Sequence, residues 1–213
     1  MDELPQLEVE GGTWYRAVPP SAVPMPAAQM PVDLHGQRAV ISEPGIGILH
    51  DLRILGSARQ EHGVTWLDVV PELDYWRTKI SPGPVATRCL PIDQIYIEHR
   101  LAYDPPAADV VVAPPAATAD PASLLRRLAP RPDMPGVRTP VPARGITHLH
   151  GRRIIQVAPL GFAWDLRAVS EPYQDSAGDI VLNLTAAYDY YRWVITGAEP
   201  DITPIGLYLL WTE

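Results

Sequence analysis

The chain has 213 residues, 46% of them hydrophobic and 20% charged, which is soluble-protein composition with length for one large domain or two small ones. Twenty-five prolines without a Gly-X-Y period exclude collagen, and the apolar fraction excludes a wholly disordered chain. A formal charge of -8 disfavours nucleic-acid phosphate as a partner, and a single cysteine, Cys89, permits no intrachain disulfide.

No apolar run approaches bilayer length, and the opening Met1-Asp2-Glu3-Leu4-Pro5 lacks the basic and apolar regions of a signal peptide. The expectation is a cytoplasmic protein, or one assembled into a particle made there, without a membrane partner. In chain order, residues 1–29 read as an extended arm, because Pro19, Pro20, Pro24 and Pro26 fix backbone angles and withhold donors. Residues 30–98 form a first β-repeat, 99–144 a Pro/Ala-rich connector, and 145–213 a second repeat. Within the connector, Asp120 and Pro121 open a short helix to Leu128.

The repeat is carried by residues that return in order. Leu34-His35-Gly36-Gln37-Arg38 returns as Leu149-His150-Gly151-Arg152-Arg153, and Asp51-Leu52-Arg53 as Asp165-Leu166-Arg167. Asp74-Tyr75-Trp76-Arg77 returns as Asp189-Tyr190-Tyr191-Arg192, and Glu98 as Glu213. The offset slips by one residue only at Pro44-Gly45-Ile46-Gly47 against Pro159-Leu160-Gly161, a turn, where indels are tolerated.

Within each repeat, Arg38 to Glu43 with Gly47 to Leu55, and Arg153 to Ala158 with Phe162 to Val169, read as Val/Ile-rich hairpins. The segments 64–80 and 179–195 fit either period; their Tyr, Trp, Val and Ile content favours strand, with Pro71 at a bend, although Gly197 could end a helix. Leu90 to Tyr96 and Ile205 to Trp211 read as a last strand. About four strands per repeat give an all-β, or β-rich α+β, internally duplicated pseudo-dimeric sandwich or barrel.

The candidate binding residues are the polar ones present in both repeats: His35, Arg38, Asp51, Arg53, Asp74, Tyr75 and Arg77, with His150, Arg153, Asp165, Arg167, Asp189, Tyr190 and Arg192. On strands, Asp51 would share a face with Arg53, and Tyr75 with Arg77, making a carboxylate–guanidinium ladder that either fixes register or binds an anion or partner. His148 and His150 would share a strand face, as the first two ligands of a β-barrel metal site do, but Gly151 to Ile155 supply no further ligand. No metal or other cofactor is expected. The segment Gly45-Ile46-Gly47 lacks a third glycine for a dinucleotide site, and neither a phosphate-cradling loop nor a nucleophile elbow is present.

No catalytic residue is nominated. The leading expectation is a structural, assembly or protein-interaction protein, such as a virion subunit, acting on protein partners or by self-assembly. The alternatives are a small-molecule-binding barrel or barrel enzyme with a pocket between the repeats, and an acidic inhibitor or immunity-type protein that docks on a basic partner.

Overall fold

The computed structural model describes residues 7–9, 12–14, 18–30, 33–43, 45–100, 135–158 and 161–213. The helix expected at Pro121 to Leu128 lies outside them. β1 (Leu7–Val9) and β2 (Gly12–Trp14) pair as an antiparallel ribbon. The other described residues divide into two units, the first running from Ser21 to Arg100 with residues 135–138, the second from Thr139 to Glu213 with residues 18–20.

The first unit contains β3 (Ala22–Pro26), β4 (Arg38–Glu43), β5 (Gly47–Glu61), β6 (Val64–Pro71), α1 (Glu72–Ile80), β7 (Arg88–Pro91) and β8 (Ile95–Arg100). Its antiparallel sheet runs β3-β8-β4-β5-β6-β7. β7 and β8 lie at the two ends of a five-strand run, yet only the 3-10 turn Ile92–Gln94 joins them. A flat run of that width would span about 19 Å, whereas three 3-10 residues advance about 6 Å, so the sheet has to curl.

The second unit follows the same logic with β9 (Val141–Pro142), β10 (Arg153–Ala158), β11 (Gly161–Ala168), β12 (Tyr173–Gln174), β13 (Ile180–Ala186), α2 (Ala187–Thr196), β14 (Thr203–Gly206) and β15 (Leu210–Thr212). The sheet order is β12-β13-β11-β10-β15-β9, with β14 also paired to β13. Here β14 and β15 are joined through the 3-10 turn Leu207–Leu209, which again draws together the two ends of a five-strand run, β14-β13-β11-β10-β15. The protein is therefore strand-rich, with two curled antiparallel sheets.

Three strand expectations need correction. Segments 64–80 and 179–195 are each a strand followed by a helix, the change falling after Pro71 and after Ala186. Pro71 has no N–H to extend a ladder, and in the second segment Ala187 and Tyr191, four residues apart, face inward together, so burial at helical spacing overrides β-propensity. Gly197 ends α2 in the left-handed region, φ 76°, its N–H donating to Trp193 O at 2.8 Å. The expected last strand is broken in both units by a 3-10 turn into two strands that pair at opposite ends of the run. The total consequently exceeds four per unit, since proline-containing Ala22–Pro26 and Val141–Pro142 also join their sheets as outer strands.

Alternation along the strands fills each curled interior. Ala39, Ile41, Leu52, Ile54, Leu67, Val69, Ile95 and Ile97 form the first core, with Leu34 from the preceding turn. Leu149, Ile154, Ala168, Leu182, Leu184 and Leu210 form the second. With both interiors packed, Ile54→Ala and Ile154→Ala should each cost about 2–5 kcal/mol in urea denaturation, while a loss below about 1 kcal/mol would show an interior that tolerates a void.

Candidate functional site

The sequence-matched Arg53 and Arg167 make the same turn contact, one in each unit. Gly36 turns with φ 75°, donates its N–H to Ile54 O at 2.9 Å, and leaves its own carbonyl to accept from Arg53 Nη1 at 2.9 Å. Gly151, φ 79°, donates to Ala168 O at 2.8 Å and accepts from Arg167 Nη1 at 3.0 Å. A Cβ at Gly36 would lie 2.7 Å from Tyr75 Oη, and one at Gly151 would lie 3.1 Å from Tyr190 Oη. Glycine is thus required twice over, by backbone angle and by the approach of the tyrosine.

The helix closes over each arginine. Arg53 lies 5.3 Å from the Tyr75 ring centroid and 5.2 Å from Trp76; Arg167 lies 5.3 Å from Tyr191 and 6.0 Å from Tyr190. In the first unit Glu72 Oε1 accepts Arg53 Nε at 2.9 Å and Nη2 at 2.6 Å, while Arg38 approaches the same carboxylate at 3.2 Å. In the second, Arg167 Nη2 donates to Tyr191 Oη at 2.8 Å, and Arg153 Nη1 pairs with Glu213 Oε2 at 2.9 Å. Arg53, Glu72, Arg153 and Arg167 are buried, so these contacts take the place of water: a carboxylate for Arg53 and Arg153, and a carbonyl, a hydroxyl and two rings for Arg167. Glu72 and Tyr191 are not among the expected site residues, because the sequence-matched positions in the other unit hold Ala187 and Trp76.

The other expected residues lie elsewhere. Each β4–β5 and β10–β11 pairing carries a one-residue bulge at the matching place, between Ala39 and Ile41 and between Ile154 and Gln156. Asp51, φ 57°, and Asp165 fall in these bulges and are exposed, so Asp51 does not share the buried face of Arg53; its Oδ1 lies 3.8 Å from Arg138. Asp74 with Arg77 and Asp189 with Arg192 are i,i+3 helix-surface pairs, and Tyr75 and Arg77 part company because the segment is helical. His148 and His150 stand in a turn, His148 at φ 59°, which removes the shared strand face. Among the described residues no group of three or more His, Cys, Asp or Glu converges.

Three surface features surround this framework. Arg59 Nη2 donates to Asp68 Oδ1 at 3.0 Å and to exposed Cys89 Sγ at 3.1 Å; Cys89 first, then Asp68, raise the guanidinium pKa above its ordinary value. A cleft of about 320 Å³ opens between β4 and β7, lined by Ile41, Ser42, Glu43, Arg88, Leu90 and Gln94, with Glu43 and Arg88 ion-paired across it. On α2, Tyr188 and Val194 are 43% and 51% exposed, giving the second unit an apolar helix surface where α1 carries Leu73 and Lys79. No helix among the described residues is long and apolar enough to cross a membrane.

Removing the Glu72 carboxylate leaves two guanidinium groups beside a buried site, so Glu72→Ala should lower stability by about 3–5 kcal/mol; a change below about 1 kcal/mol would mean that the pair does not hold the helix. Gly36→Ala should destabilise more than Gly151→Ala, because its Cβ meets the tyrosine hydroxyl at the shorter distance, and equal thermal shifts would contradict that. Compared with protein-family models, with curated proteins and with solved structures, the chain matches none of them at a significant level.

Proposed function

We propose that this chain is a non-enzymatic assembly or protein-interaction protein, built from two copies of one β-unit that share an internal framework and have diverged on their outer surfaces. The observation that carries the reading is the use of the matched arginines and turn glycines: Arg53 with Gly36, and Arg167 with Gly151, tie turn and strand to a helix through different partners, Glu72 and Tyr191. A folding role for the shared arginines and glycines supports assigning partner choice to the positions where the two copies differ. Those positions include Val194 against Lys79 and Trp193 against Thr78.

Apart from the two-residue β12, the outer strands favour contact through side chains over strand addition. β3, β7, β9 and β14 all carry proline, which lacks the N–H that an added strand would need. A cytoplasmic setting, or a virion or other particle assembled there, suits this reading. The cleft with Glu43 and Arg88 favours the second reading, a small-molecule-binding barrel; its counterpart positions, Ala158 and Thr203, are uncharged.

Light scattering on a size-exclusion column separates the two. Assembly predicts mass that grows with concentration above the 23.4 kDa chain. A monomer at every concentration, together with a small molecule whose stabilising effect disappears in Glu43→Ala and Arg88→Ala, would overturn it in favour of the cleft.

A further inference from the structure

We propose that Tyr190, Trp193 and His150 form an aromatic corner on the second unit that docks a lysine or arginine side chain of a basic partner protein. The inference deepens the interaction reading above and rests on its matching of the two units. In the first unit the corresponding corner is filled from within. Lys79 sits one turn beyond Tyr75 on α1 and places Nζ 5.4 Å from the Tyr75 ring centroid and 3.1 Å from His35 Nε2. Arg53 lies 5.3 Å from the same ring, so the tyrosine is flanked by two cations of its own unit.

The second unit keeps the tyrosine, the histidine and the buried arginine but not the lysine. Arg167 lies 6.0 Å from Tyr190, and the position of Lys79 is taken by exposed Val194. Trp193 replaces Thr78 and stands edge-on to Tyr190 at 6.2 Å and to His150 at 6.3 Å. Residues 190, 193 and 194 share one helix face, and His150 comes to it from the Gly151 turn. Among the described residues no second cation accompanies Tyr190.

Tyrosine and tryptophan rings attract cations within about 6 Å of their centroids, and Val194 offers apolar surface to the stem of a long basic side chain. The net charge of -8 steers basic surfaces toward the chain and repels acidic ones, which selects a basic protein as the occupant.

The test uses the full-length chain labelled with ¹⁵N, with the Trp193 indole resonance assigned through Trp193→Phe. The probe is a short peptide alternating lysine with glycine, and serine–glycine and glutamate–glycine peptides serve as controls. The Trp193 resonance should move saturably with the lysine peptide alone. Val194→Lys, which supplies the cation from within as Lys79 does, should weaken that binding at least about fivefold. Gln60→Lys, adding the same charge on an exposed strand of the first unit, should leave it unchanged. A stationary Trp193 resonance, an equal response to the serine peptide, or undiminished binding in Val194→Lys would overturn the proposal. Self-association is read separately on the unlabelled chain: its absence alongside a specific Trp193 response overturns the assembly reading alone, and the converse overturns the corner alone.

Discussion

A buried guanidinium that has to be satisfied without water is the constraint on which each unit depends. Arg53 reaches a turn carbonyl, a helix carboxylate and two aromatic faces at once; Arg167 reaches a turn carbonyl, a helix hydroxyl and two aromatic faces. Because hydrogen bonds to a buried charge are directional and costly to lose, the turn, the strand and the helix are fixed relative to one another before the outer surface is specified. The glycine at the turn follows from the same requirement, since its carbonyl must point at the arginine while its α-carbon lies under the tyrosine hydroxyl.

The two units meet that requirement differently. In the first, the single Glu72 carboxylate is shared by Arg53 and Arg38, whereas in the second Tyr191 takes the helix contact with Arg167, and Arg153 finds Glu213 just after β15. Placing a carboxylate at the start of α1 also sets a negative side chain at a helix N-terminus, where the backbone dipole favours it. The partners of the sequence-matched arginine thus differ between the units, and so do the exteriors, one with a lysine over its tyrosine and one with tryptophan and valine there.

The hairpins were legible in the sequence because Val and Ile runs flank glycine turns, and β4–β5 and β10–β11 pair as those runs imply. The helices were not, since Tyr, Trp, Val and Ile in Tyr188 to Ile195 carry strand propensity that tertiary burial overrides. β3 and β9 were concealed by their prolines, which suit an outer strand as well as an extended arm. Around the buried guanidinium groups, Arg53, Arg167, Tyr75 and Tyr190 return in both halves, whereas Tyr191, matched by Trp76, does not. Glu72 carries no such signal, because only one half uses it, and the exposed places of Asp51 and Asp165 depend on bulges that spacing alone does not reveal.

The central claim is that the buried arginine couples turn, strand and helix within each unit, and native-state hydrogen exchange on Arg167→Met tests it directly. The account predicts that the amides of α2 and the Gly151 amide, which donates to Ala168 O, lose protection together, while the β10–β11 ladder stays protected. Unchanged protection of α2 and Gly151 in that variant would contradict it.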